Sequence, residues 1–270
     1  MDPLTCNDCT TVNFGDSIPL STLDWPGRAS VVFFLRGCPY RCPYCQNYSI
    51  LSGSDPVDFS RIEQLIESSR LFVSTVIFSG GEPLQQKDAI LALCSLVKDL
   101  GLDVGIHTNG AYPDVLEELC KRKLVDGVFI DVKAPLNDPE SYGRMIGSEK
   151  PSVTILPDEV TEKVRESIEI AVKYGVLEEL RTTVLPQHMD SPEEIRSIVY
   201  SIAPFLEISK VPYVVQQGLP GNTGDRILKE LSPLSRESLL MLSKPSLDVG
   251  VEIYVRTREK GSERISFETI

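Results

Sequence analysis

Six apolar, β-branched runs bounded by Gly, Pro or Asn recur along the chain, at 29–35, 73–78, 102–106, 127–132, 180–184 and 211–215. Runs of this length and composition read as buried strands. Helical periodicity fills the gaps between them. Ile62, Leu65 and Ile66 keep the i, i+3, i+4 spacing, as do Ile90, Leu93, Cys94 and Val97. Val115, Leu116 and Leu119 mark a shorter helix, and Val164, Ile168 and Val172 another. Ser191-Pro192-Glu193-Glu194 opens the next as a capping box, with Pro at the first helical position. Strands alternating with helices predict a parallel α/β fold. A helix near 235–242 and a strand at 251–255 follow outside this count, beyond the turn residues Gly218-Leu219-Pro220-Gly221.

Composition narrows the class. With 270 residues the chain holds one large domain or two ordinary ones, and 41% hydrophobic with 24% charged residues is ordinary globular usage. No apolar run approaches the roughly 20 residues of a membrane span, so no membrane association is expected. The first residues carry neither a basic start nor an apolar stretch, so a secretory signal is not expected and the expected compartment is the cytoplasm. Lys and Arg number 27 against 39 Asp and Glu, a formal net charge of −12. That balance disfavours nucleic acid as the main partner. Seven cysteines in such a chain point to metal or redox chemistry rather than to a disulfide framework.

A parallel barrel presents its chemistry in the loops after the strand C-termini, and the unusual residues sit there. Gly37-Cys38-Pro39-Tyr40-Arg41-Cys42-Pro43-Tyr44-Cys45 follows the first predicted strand, Ser79-Gly80-Gly81-Glu82-Pro83 the second, and His107-Thr108-Asn109-Gly110 the third. Asp131-Val132-Lys133 closes the fourth, Thr183 the fifth, and Gln216-Gln217 the sixth. Three thiols at C-x3-C-x2-C spacing are soft ligands suited to an iron–sulfur cluster or to zinc. A structural zinc site needs a fourth ligand, which this loop does not contain. Three thiolates on a four-iron cluster leave one iron open to a substrate or cofactor.

The C-x3-C-x-aromatic-C loop, with Tyr44 as the aromatic, resembles the signature of the radical S-adenosylmethionine (SAM) enzymes. The resemblance spans roughly residues 21–217. Within that family, Ser21-Thr22-Leu23-Asp24-Trp25-Pro26-Gly27-Arg28, Thr108-Asn109-Gly110, Asp131-Val132-Lys133-Ala134-Pro135, Arg181-Thr182-Thr183-Val184 and Gln216-Gln217 are similar to the activating proteins of anaerobic ribonucleoside-triphosphate reductase and other glycyl-radical enzymes. The resemblance implies a partial parallel (β/α)6 barrel over 21–217, preceded by an N-terminal segment 1–20 and followed by a C-terminal extension, 218–270, packed on the core. It implies a [4Fe-4S] cluster on Cys38, Cys42 and Cys45, with SAM chelating the open iron. It also implies that the reduced cluster cleaves SAM to methionine and a 5′-deoxyadenosyl radical, which abstracts a hydrogen atom.

For the cofactor itself, the resemblance implies contacts from Tyr44, Gly80, Gly81, Glu82, Thr108, Asn109, Asp131, Lys133, Arg181 and Thr183. Glycines let backbone carbonyls approach a ligand, and Glu82 brings a charge suited to an ammonium. Gly80-Gly81 and Thr108-Asn109-Gly110 also read as plain turns, and Asp131 with Lys133 as an ion pair at the barrel mouth. Related activating enzymes often carry Asp before Thr-Asn-Gly, where this chain has His107. His188 reads as a loop histidine, and neither histidine is assigned to catalysis. Cys6 and Cys9 form a second thiol pair, read as half of a metal site, a redox pair or free thiols. Cys94 reads as a small core hydrophobe and Cys120 as part of a helix end.

The leading expectation is an activase that installs a glycyl radical on a protein partner, drawing electrons from a ferredoxin- or flavodoxin-type donor. The second is an enzyme of similar core acting on a small molecule or RNA base, favoured by the extension and by Cys6 and Cys9. The third, a non-enzymatic iron–sulfur electron carrier, has no use for Gly80-Gly81-Glu82 or Asp131-Val132-Lys133.

Overall fold

The structure, a computed structural model, describes residues 10–268. In chain order its elements are β1 (Thr11–Ser21), β2 (Ser30–Leu35), β3 (Pro56–Asp58), α1 (Phe59–Ser69), β4 (Thr75–Gly80), α2 (Lys87–Asp99), β5 (Asp103–Thr108), α3 (Pro113–Lys121) and β6 (Gly127–Asp131). Then follow α4 (Pro139–Ile146), α5 (Pro157–Lys173), β7 (Leu177–Val184), α6 (Pro192–Ser209), β8 (Tyr213–Gln217), α7 (Arg226–Lys229), α8 (Arg236–Ser243), β9 (Ile253–Thr257) and β10 (Gly261–Arg264).

The strands form one sheet in the order β10-β9-β8-β7-β6-β5-β4-β2-β1-β3. From β2 to β9 the neighbours run parallel, and β1, β3 and β10 add antiparallel strands at the two ends. The sheet ends on β3 and β10 without closing, a partial barrel as expected. Because side chains alternate between faces of a strand, the chain builds two cores. Val31, Phe33, Val76, Phe78, Val104 and Ile106 belong to the large cluster that also takes in the helices, whereas Val32, Ile77 and Phe129 form a separate small cluster with Trp25.

Trp25 is the interior plug. The residue is 3% exposed and its ring meets Phe129 edge-on with centroids 5.5 Å apart. Gly105 and Gly127 make room for it: a Cβ at Gly127 would lie 2.5 Å from Cη2 and Cζ2 of the indole, and one at Gly105 3.0 Å from Cε3 and Cζ3. Arg28 stacks over the indole at 4.5 Å and pairs with Asp103. The same segment carries Asp24, whose carbonyl accepts a hydrogen bond from His107 Nε2 at 3.0 Å. The plug is thereby tied to the cavity above it.

All six predicted parallel strands are present, each within a few residues of its expected bounds. The strand expected at 251–255 joins the same sheet as β9, parallel to β8, so the sheet continues past Gly218–Gly221. Two features are not anticipated by the periodicity. β1 carries Gly15 and Pro19, and of its residues only Val12 is buried, so no two-residue alternation shows. α4 spans eight residues, too few for a periodic signal, and is set by the Asp138 cap, which accepts from Ser141 N, and by Gly147 at φ 71°.

Candidate active site

The cysteine loop is held at its start and its middle by its backbone. Gly37 N donates to Ile50 O at 2.8 Å and Arg41 N to Ile146 O at 2.9 Å, while the Arg41 carbonyl accepts from Lys150 Nζ at 2.8 Å. The β4 end packs directly on this loop. Gly81 N donates to Leu35 O at 2.9 Å and Glu82 N to Gly37 O at 2.8 Å. Gly80 has φ +119°, and a Cβ on Gly81 would collide with the Gly37 carbonyl, so both positions require glycine. Asn47 Nδ2 donates to Gly80 O at 2.9 Å and joins the loop to the glycine strip from its other end.

Cys38, Cys42 and Cys45 line one cavity of about 410 Å³ together with the C-terminal ends of β4 to β9. Tyr44, Gly80, Gly81, Thr108, Asn109, Asp131, Lys133, Arg181 and Thr183 line the same cavity, so the structure brings nearly all the expected contact residues together. Glu82 is the exception. It is wholly buried outside the lining, with Oε1 accepting from Leu84 N and Thr108 Oγ1 and Oε2 accepting from Asn109 N at 2.7 Å. Its carboxyl holds the Thr108–Asn109 turn in place, and Asn109 Nδ2 reaches back to Cys38 Sγ at 3.5 Å. Burial pushes the Glu82 carboxyl up to about 7, against the opposing pull of its N–H partners on Asn109 and Leu84.

A ladder of alternating charge crosses the inner face of the sheet. Arg181 Nε donates to Asp131 Oδ1 at 2.6 Å, and Lys133 Nζ lies 3.5 Å from Asp131 Oδ2. Arg181 Nη1 lies 3.9 Å from Glu179, which is bound more tightly by Arg256 at 2.5 and 2.9 Å. Burial alone would raise the Asp131 carboxyl, but Arg181 and then Lys133 outweigh it and hold it at about 2. Burial, with Arg181 second, drives the His107 imidazole well below the usual histidine range, so it is neutral and donates through Nε2. His188 lies outside the cavity lining, its ring centroid 5.5 Å from that of Tyr44.

Sequence reasoning missed the β9 contribution. Arg256, Thr257 and Arg258 line the cavity, yet nothing local marks them, since their role follows from β9 pairing with β8. Asp24 and Tyr40 also line it from segments whose motifs were noted for other reasons. Cys94 is fully buried in the outer core and Cys120 nearly so. Cys6 and Cys9 lie outside the described residues.

The donor set suits a multi-iron cluster. Among the described residues no three Cys, His, Asp or Glu side chains converge on a point suited to one metal ion, and these three thiols form no disulfide. Three thiols of one loop facing one cavity are the soft donor set that iron–sulfur clusters use. Charged side chains lining the cavity comprise Lys133, Arg181, Arg256 and Arg258 against Asp24 and Asp131, and with Arg256 matched by Glu179 behind it a small cationic excess remains in a chain of net charge −12. That excess favours an anionic cluster and a carboxylate-bearing ligand.

The sequence pattern that defines the radical SAM superfamily matches residues 32–199. The chain belongs to the radical SAM superfamily. It is therefore a radical SAM enzyme of oxidoreductase type, and the cofactors of this family are a [4Fe-4S] cluster and SAM. Over 227 residues it is 34% identical to a Methanocaldococcus jannaschii protein that bears the provisional name of a glycyl-radical enzyme activating enzyme, covering 83% of this chain and 86% of that one. It is 27% identical to the pyruvate formate-lyase-activating enzyme of Clostridium pasteurianum over 83% of this chain and 92% of that one. Among solved structures, a radical SAM methyltransferase from Sphaerobacter thermophilus superposes with a TM-score of 0.63 at 13% identity, covering 86% of this chain and 67% of that one. That likeness is one of fold. No helix among the described residues is long and apolar enough to cross a membrane.

Proposed function

We propose that this radical SAM enzyme installs a glycyl radical on a partner enzyme such as an anaerobic ribonucleotide reductase, taking electrons from a ferredoxin- or flavodoxin-type donor. The observation that carries this reading is the 34% identity, across most of both chains, to a relative named for glycyl-radical activation. Leu23 supports it: this apolar side chain lines the cavity yet is 70% exposed, which suits contact with a protein substrate.

In this reading Cys38, Cys42 and Cys45 hold the cluster, which when bound and reduced supplies the electron that cleaves SAM to methionine and a 5′-deoxyadenosyl radical. The loop's anchoring to Ile50, Ile146, Lys150 and Glu82 holds its backbone in place for the three thiols. Burial raises all three thiols, Cys42 to about 11, so they bind as thiolates only by releasing protons to solvent. Lys133 and Arg181 remain cationic beside Asp131 and give SAM a carboxylate partner, and Gly80 and Gly81 offer backbone to its ammonium. Thr108, Asn109, Asp131 and Thr183 complete the polar wall, with Tyr44 packed beneath Lys133 at 5.9 Å. Glu82 acts through the turn it holds rather than by touching the ligand. Trp25 and its neighbours close the barrel interior to water, which protects a radical from competing donors.

Arg256 in β9 and Arg258 just after it favour one second reading, in which this edge of the cavity recognises an anionic small molecule. The two readings separate in a single experiment. With SAM, reductant and a glycyl-radical enzyme from the same source, the activase reading expects a glycine-centred paramagnetic resonance signal on the partner. Turnover of SAM with a soluble metabolite and no such signal supports the second.

A further inference from the structure

Two buried side-chain polar atoms have no hydrogen-bond partner among the described residues, Tyr40 Oη and Ser246 Oγ. Only Tyr40 lines the cavity. It sits between Cys38 and Cys42, is 1% exposed, and its backbone is fixed, with Tyr40 N donating to Cys38 Sγ at 3.4 Å and its carbonyl accepting from Arg41 Nη1 at 2.7 Å. Tyr142 makes the contrast clear. It is equally buried, yet its hydroxyl accepts from Lys133 N at 3.2 Å and lies 3.5 Å from the Asp131 carbonyl.

A buried hydroxyl without a partner destabilises a fold, and phenylalanine would fill the same space without that penalty. The hydroxyl is therefore explained by an acceptor that arrives with the cofactor. The acceptors a [4Fe-4S] cluster brings to this loop are sulfurs, both inorganic sulfide and cysteine thiolate. A donor aimed at such a sulfur stabilises the more negative, reduced state of the cluster more than the oxidised state.

We propose that Tyr40 donates its O–H to a sulfur of the cluster and raises the cluster's reduction potential. The inference rests on the assignment of Cys38, Cys42 and Cys45 as cluster ligands. It makes Tyr40 a residue that tunes electron supply, separate from the residues that bind SAM.

The test compares full-length wild type, Tyr40→Phe and Cys42→Ala after anaerobic reconstitution, in the absence of SAM. Iron and sulfide content, a redox titration followed by paramagnetic resonance, and proton–deuterium exchange seen by electron–nuclear double resonance are measured on each. Tyr40→Phe should retain the cluster, titrate at a more negative midpoint, and lose one exchangeable proton coupled to it. The metal-free Tyr40→Phe protein should unfold at the same or a higher temperature than metal-free wild type, because the hydroxyl has no partner there. If Tyr40→Phe does not hold the cluster, 3-fluorotyrosine at position 40, a stronger donor of the same shape, should move the midpoint upward. An unchanged midpoint and proton coupling in the loaded variant overturns the role of Tyr40 alone. Cluster uptake that does not depend on Cys42 overturns the thiol assignment and the inference with it.

Discussion

Replacing Gly127 by alanine tests whether Trp25 is a tightly fitted plug. The new Cβ would stand 2.5 Å from two indole carbons, where ordinary carbon contacts lie near 3.5–4.0 Å. The ring must therefore shift by about an ångström. It has little room to move: Val32, Ile77 and Phe129 pack around it, and a Cβ at Gly105 would already lie 3.0 Å from the ring. Overpacking of this kind costs about 1–3 kcal/mol, and the loss of glycine freedom in the unfolded chain returns roughly 0.4–1 kcal/mol. The expected net destabilisation is about 1–2 kcal/mol. Urea unfolding followed by circular dichroism measures it, and fluorescence of the only tryptophan reports the displaced ring. In a Trp25→Phe background, where the two clashing indole carbons are absent, Gly127→Ala should cost at least 1 kcal/mol less. Gly221→Ala, with nothing near its Cβ, should fall within about 0.5 kcal/mol of wild type. An equal cost of Gly127→Ala in both backgrounds would refute the plug.

The charge ladder yields further expectations. Arg256→Met leaves Glu179, whose side chain is 3% exposed, with Arg181 alone at 3.9 Å, and should destabilise by about 3–5 kcal/mol; Glu179→Gln added to it should recover most of that loss in a thermal unfolding cycle. Asp131 has a depressed carboxyl, at about 2 against an ordinary 3.8, so its contribution of roughly 2 kcal/mol is complete above pH 4 and is lost as pH falls towards 2. Asp131→Asn should flatten that part of the acid limb of stability against pH. Glu82→Gln leaves one acceptor oxygen where two now serve Leu84 N, Thr108 Oγ1 and Asn109 N, and sets an NH2 against the donors that lose theirs, so it should cost about 1–3 kcal/mol and should weaken SAM binding measured by calorimetry while iron content stays at the wild-type level.

Much of this molecule is legible from residue patterns because its parallel strands are short apolar runs and its crossovers are periodic helices. The inner and outer faces of β2, β4, β5 and β6 follow from a period of two once the strands are placed. The loops after those strands carry residues whose chemistry is conspicuous in sequence, and the structure gathers them around one cavity. What escapes local reading is decided by long-range pairing. Arg256 joins the site only because β9 extends the parallel sheet beside β8. Glu82 looks like a ligand for a cation, but the turn it binds lies 26 and 27 residues further along the chain. Gly105 and Gly127 read as unremarkable strand residues until an indole from position 25 packs against them. Tyr40 passes as a spacer between two cysteines, and its unpaired hydroxyl is visible only in three dimensions.

The most direct test of the activase account supplies the protein, reconstituted and reduced without oxygen, with SAM and a glycyl-radical enzyme grown on α-deuterated glycine. The 5′-deoxyadenosine formed is then weighed by mass spectrometry. The account predicts 5′-deoxyadenosine carrying one deuterium, together with a glycine-centred radical on the partner, and neither with Cys42→Ala. Product without deuterium, formed while the partner gains no radical, would contradict it and assign the hydrogen atom to another substrate.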